Sequence, residues 1–180
     1  VRFGDPARTP GGNLEIKWEV FADSGHAVRR AHPHRVYYLE STLDPPVLWL
    51  NKGLPELDAV LESKGTRGYK ATVRELVFRT IALPVWFGLA QDVLFAVTLD
   101  EDGRPAVPSG WRQGLVARLA PRLEPGVPRD VAVERTLEQL WATREGREPA
   151  RALVERLVAV LQDELELDAT VKRALRELAR

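Results

Sequence analysis

The sequence predicts an α+β fold. A small N-terminal antiparallel sheet of about three strands is expected to pack on a mostly helical C-terminal part of about six helices, one of them kinked near Pro84. Three observations predict it. Apolar residues alternate with charged ones along NLEIKWEVF, a period of two. The apolar period changes to the helical one near Leu54 and stays there to the C-terminus. The links between the first apolar runs are short, and this favours an antiparallel meander over parallel neighbours.

The first dozen residues, rich in Pro and Gly, read as a loose arm. In the first strand Leu14, Ile16, Trp18 and Val20 fall on one side, and Glu15, Lys17 and Glu19 on the other. ADSG then signals a turn. A second strand is expected in RVYYLE and a third in VLWLN, with Pro45 and Pro46 breaking the chain between them. In the next segment Leu57, Val60 and Leu61 share a helix face, with Pro55 in the first turn and Gly65 at the exit. From about Tyr69 to Leu99 runs a long apolar helical region, in which Pro84 calls for a kink or a break into two helices. Its second half is apolar nearly all round and reads as the central core helix. Residues 100–110 read as a surface loop.

Four further helices follow. One starts at Trp111. The next has Asp130 as its N-cap and a stripe of Val133, Leu137, Leu140 and Trp141. A third carries Leu153, Val154, Leu157, Val158, Leu161 and Leu165. The last is capped by Asp168 and bears Val171, Leu175 and Leu178. The Pro-rich joint at 121–128 is the one candidate boundary. It divides an α+β core domain (1–124) from a helical extension (125–180) expected to pack on the same core.

Composition removes several classes of chemistry. The 180 residues contain no cysteine, so disulfides, thiolate metal sites and cysteine nucleophiles are excluded. The 26 basic and 26 acidic residues balance, which argues against a nucleic-acid coat or a polybasic membrane binder but not against a local patch. The apolar run 81–99 is interrupted by Gln91 and Asp92, so a buried helix is expected there and not a membrane span. A cytoplasmic location is the simplest expectation. The chain begins at Val1 and has no methionine, and its base is mostly arginine. These features suggest a segment of a larger bacterial protein.

One stretch concentrates chemistry. SGHAVRRAHPHRV, residues 24–36, holds all three histidines (His26, His32 and His34) with Arg29, Arg30 and Arg35, and no acid. Read as a metal site, His32 and His34 share one side of a strand and His26 adds a third ligand, as in a metal-dependent hydrolase. Three arginines beside the cation, and Pro33 between the pair, count against it. Read as a nucleic-acid or phosphate site, Arg29, Arg30, His32, His34 and Arg35 grip the anion, and an exposed Tyr37 or Tyr38 stacks on a base. Read structurally, the stretch is a polar link whose charges pair with acids such as Glu15 and Glu19.

Other signals are weaker. GYKATVREL lacks the phosphate-loop pattern, and none of Ser24, Ser41, Ser63 and Ser109 sits in a nucleophile elbow. Asp92, embedded in the apolar helix, needs a partner such as Arg79 or Lys70. The acidic run 162–168 is partly placed to start the last helix, where acids help. The five tryptophans at 18, 49, 86, 111 and 141 are spread like core staples. No catalytic set and no cofactor motif is present. The leading expectation is a non-enzymatic interaction module that contacts another protein or other domains of its own polypeptide. Nucleic acid is the alternative partner, and no membrane is expected.

Overall fold

The computed structural model describes residues 14–63 and 68–179, and leaves out the side chain of Leu178. The expected N-terminal arm and the Gly65 helix exit lie outside these residues. In order, the chain forms β1 (Glu15–Glu19), a 3-10 turn (Phe21–Asp23), α1 (Ala27–Ala31), β2 (Tyr37–Glu40), β3 (Val47–Asn51), α2 (Pro55–Leu61), α3 (Tyr69–Ala96), β4 (Thr98–Leu99), β5 (Pro105–Ala106), α4 (Trp111–Leu123), α5 (Arg129–Arg144), α6 (Ala150–Glu164) and α7 (Leu167–Leu178). The architecture is α+β, with the sheet first and the helices after it.

Two compact units divide the chain. Among the described residues the first comprises 15–63, 68–85 and 162–179, and the second comprises 14 and 86–161. The division falls inside α3, just beyond Pro84.

The first unit holds a three-stranded sheet in the order β1-β3-β2. β2 and β3 are antiparallel, with Tyr38 opposite Trp49, but β1 is parallel to β3, with Lys17 opposite Trp49. The sheet is therefore mixed and not a simple antiparallel meander. Residues 20–36 supply the reason, since a link of that length carries the chain across the sheet to its far edge, which a hairpin turn does not. The link is not irregular either, because it contains the 3-10 turn and α1. β3 is the central strand. Val47, Leu48, Leu50 and Asn51 are all buried, as the near-continuous apolar run VLWL implies for a strand covered on both sides.

α3 is one helix through Pro84, not two. Proline has no N–H to give, and Pro84 faces solvent, where the carbonyl it leaves unpaired can be hydrated. Ile81, Val85, Leu89 and Val93, four residues apart, form a buried stripe. By length and composition α3 is the one helix among the described residues apolar enough to cross a membrane, with 39% of its most apolar window buried in the protein.

In the second unit β4, just before the expected surface loop, pairs with β5 inside it to make a small ribbon. Its turn is built by Asp100, whose Oδ1 accepts from the backbone N–H groups of Asp102 (3.0 Å) and Arg104 (2.8 Å). Gly103 there has φ 74°, which a side chain would resist. α4 and α5 pack on each other, with Ala120 and Ala132 fully buried, and such small side chains let helices approach closely. α4 runs through Pro121, and Pro128, not Asp130, occupies the N-cap of α5. The buried face of α5 is Ala132, Thr136 and Leu140, rotated from the expected stripe. Asp92 pairs with Arg112 (2.6 Å) and not with Arg79 or Lys70. Trp111 is buried and Trp141 half-buried, with Arg144 over its ring.

Candidate functional site

The histidine–arginine stretch folds over the polar face of the sheet. With a side-chain period of two, Lys17 and Glu19 of β1, Tyr38 and Glu40 of β2, and Trp49 of β3 share that face. α1 crosses above them and lowers Arg29 onto it. The Arg29 guanidinium lies 4.1 Å from the Trp49 ring centre and 5.6 Å from that of Tyr38. Its Nε is 2.6 Å from a Glu19 oxygen, and Nη1 is 3.6 Å from Glu40. Glu40 also accepts from the Trp49 indole N–H at 2.9 Å. Arg29 is only 7% exposed.

Ser24, a residue without a role in the sequence reading, is the hub beneath it. Its hydroxyl donates to Glu19 (2.9 Å) and accepts from Arg29 Nε (3.1 Å) and from the His26 backbone N–H (3.0 Å). The hydroxyl is satisfied on every side and buried. It is a fastening that ties Glu19, Arg29 and the start of α1 together.

The arginines therefore part company. Arg29 belongs to the interior and cannot meet a bound anion, and Tyr38 is occupied by it. Arg30 and Arg35 stay exposed, as do His32 and His34, and Arg30 donates to the Ser24 carbonyl at 2.9 Å. Tyr37 points to the opposite sheet face from Tyr38, and partial burial pushes its hydroxyl pKa up. His26 packs against Tyr38, with ring centres 5.1 Å apart. Among the described residues no three His, Asp or Glu side chains come together as a metal-ligand set.

Asn51 was also missed. It is wholly buried at the end of β3. Its carbonyl oxygen accepts from the backbone N–H groups of Phe21 (3.2 Å) and Gly53 (2.9 Å). Its amide donates to the carbonyls of Pro33 and Arg35, both at 2.8 Å. The available signal was an asparagine followed two residues on by glycine, the mark of an Asx turn. A Cβ on Gly53 would lie 3.0 Å from Asn51 Oδ1.

The second feature of interest is α7. Glu166, at its N-cap, has a left-handed backbone (φ 46°). Arg79 of α3 bonds both Glu75 (2.7 Å) and Glu166 (3.1 Å), and Arg173 reaches Glu75 at 2.6 Å. The result is an alternating ladder, Arg173–Glu75–Arg79–Glu166, that fastens α7 to α3. Thr170 faces the same way and is 1% exposed. Glu166 and Arg173 reach α3 from the rim of the contact, with side chains 70% and 53% exposed. Val171 and Leu175 are 43% and 60% exposed, and Leu167 and Ala174 are half-buried beside them. Asp168 does not cap this helix, but pairs with Lys172 in its first turn (2.7 Å).

Burial by itself would raise the pKa of Glu75. The hydrogen bond and charge of Arg79, with the charge of Arg173, outweigh that and hold the carboxyl below its usual range. A carboxylate with a depressed pKa in the folded state adds stability above its unfolded pKa, and that stability is lost as pH falls through the folded value. α7 is therefore expected to loosen in acid, below the ordinary carboxylate range. Glu75→Gln should reproduce this at neutral pH. Amide exchange across 167–178 should be roughly tenfold faster or more than in the parent protein, since a hydrogen bond to a charged group is worth about 1.5–3 kcal/mol.

No protein family, no curated protein and no solved structure matches this chain.

Proposed function

We propose that this chain is a non-enzymatic module acting through protein contacts, with the outer face of α7 as its docking surface. One observation carries the reading, the exposed pair Val171 and Leu175 on a helix that an ion-pair ladder fastens to α3. Exposed apolar residues scattered singly are ordinary on any protein. Here Val171 and Leu175 lie one turn apart, next to the half-buried Leu167 and Ala174, on a helix whose Thr170 is buried. Helix-in-groove and helix-pairing recognition use anchors at this spacing. The Arg29 and Ser24 clusters support the same reading, because their polar atoms are spent on holding the sheet and α1 together.

The test is a photo-reactive residue at position 175 of the full chain, irradiated in cells that make it. Covalent products of discrete mass are expected, identified by mass spectrometry and abolished by Val171→Asp. The same probe at Arg151, exposed on α6, should give none. Equal labelling at both positions, or no product at 175, overturns the proposal.

A further inference from the structure

We infer that the exposed remainder of the histidine–arginine stretch, Arg30, His32, His34 and Arg35, is a second binding site, separate from the face of α7, for the phosphate backbone of a nucleic acid. The balance of hydrogen-bonding groups points to it. From Arg29 to Arg35 the chain makes two tight turns in succession. The His32 N–H bonds the Arg29 carbonyl (3.0 Å), and the Arg35 N–H bonds the His32 carbonyl (3.1 Å). Turns of this kind hold their ends within about 7 Å, so the four bases leave from one compact knob. The carbonyls of Pro33 and Arg35 accept from the Asn51 amide, and that of Val36 accepts from the Asn51 backbone N–H (3.0 Å). The carbonyls of Arg29, His32, Pro33, Arg35 and Val36 are thus spent on donors within the chain.

The side-chain donors are not spent in this way. Arg30 gives one N–H to the Ser24 carbonyl and keeps the others. Among the described residues none of the four bases is in an ion pair, and all four are exposed. The flanking acids are engaged or apart. Glu19 and Glu40 are held by Arg29. Asp23, exposed just before Ser24, forms no ion pair with these bases.

A surface rich in donors and poor in open acceptors selects an anion, and the planar fork of arginine suits a phosphate. Asn51 fixes the loop in advance, so little ordering is left for binding to accomplish. The rings decide what is read. Tyr38 lies under Arg29 and Tyr37 points to the opposite sheet face, so the stretch offers bases no platform to stack on. Recognition therefore stops at the phosphates and is indifferent to sequence. A knob of this size neutralises about two or three of them, and the affinity is weak, on the order of 10⁻⁵ M at low salt.

The experiment is fluorescence anisotropy of the purified full chain with a labelled oligothymidylate and with a mixed-sequence single strand of equal length. Both should bind alike. The logarithm of the binding constant should fall against the logarithm of salt concentration with a slope between about −1.4 and −2.1. Arg30→Ala with Arg35→Ala should weaken binding about tenfold and flatten the slope by about 1.4, while the melting midpoint stays close to the parent's. Arg151→Ala, on exposed α6, should leave binding unchanged. A parent chain that does not bind at low salt overturns the site, and so does a double variant that binds like the parent. Equal affinity for polyglutamate of the same charge would assign the knob to acidic proteins and overturn the nucleic acid. A strong preference for one strand over the other would overturn recognition through the backbone alone.

Discussion

Replacing Arg29 with alanine is expected to destabilise the protein by about 3–5 kcal/mol, measured by denaturant unfolding. Two carboxylates converge on this guanidinium, Glu19 at 2.6 Å and Glu40 at 3.6 Å, and Trp49 and Tyr38 offer it their ring faces. Without it Glu19 and Glu40 lose the buried cation that both of them reach. The stacking on the indole, worth about 0.5–2 kcal/mol, is lost as well. Arg29→Lys should recover only part of the loss. A lysine cannot present a planar fork to two acids while stacking on a ring. By contrast Arg30→Ala and Arg35→Ala, on the exposed side of the same stretch, should change stability by no more than about 0.5 kcal/mol. A loss below about 1 kcal/mol for Arg29→Ala would mean that α1 is not fastened through this residue.

The second large effect is expected at Asn51. Asn51→Ala removes four hydrogen bonds at once, two accepted by Oδ1 and two donated by Nδ2, leaving the N–H groups of Phe21 and Gly53 and the carbonyls of Pro33 and Arg35 without their partner. Each buried group left unpaired costs about 1–3 kcal/mol, partly recovered where water enters, so a total on the order of 4 kcal/mol is expected. Asn51→Asp separates the halves of the network. It keeps the acceptance from the two N–H groups but turns a charged oxygen toward two carbonyls. It should be no better than alanine at neutral pH and should improve on acidification. Equal stability of Asn51→Ala and the parent in urea would show that the two loops are held by something else.

The order of elements was legible because it depends on period. Alternation over Leu14–Val20, and the helical stripes after Leu54, are local properties of the chain. The orientation of β1 was not legible, since the same alternation serves a parallel or an antiparallel neighbour, and its partner β3 lies thirty residues on. α1 was hidden because a helix of little more than one turn is too short to show a stripe. β4 and β5, two residues each, are shorter still.

The candidate site was legible in location but not in detail. The stretch 24–36 is where polar chemistry gathers, yet nothing local separates Arg29 from Arg30 or Arg35. What selects Arg29 is its position above Trp49, set by the crossing of α1. The setting of α7 was not legible for a related reason. An apolar stripe does not say which of its residues stay exposed, and the residues that hold this helix, Glu75 and Arg79, lie some ninety positions earlier in the chain.

The pairing of β1 with β3 also bears on how the protein emerges during synthesis. The first strand leaves the ribosome with Ile16 and Trp18 uncovered and must wait for its neighbour, which is made last of the three. The hairpin of the second and third strands closes through a short link, so it is complete soon after Asn51 appears, and only then does the earliest strand have an edge to join. A nascent chain stalled before residue 47 carries an unpaired strand that invites association with other chains.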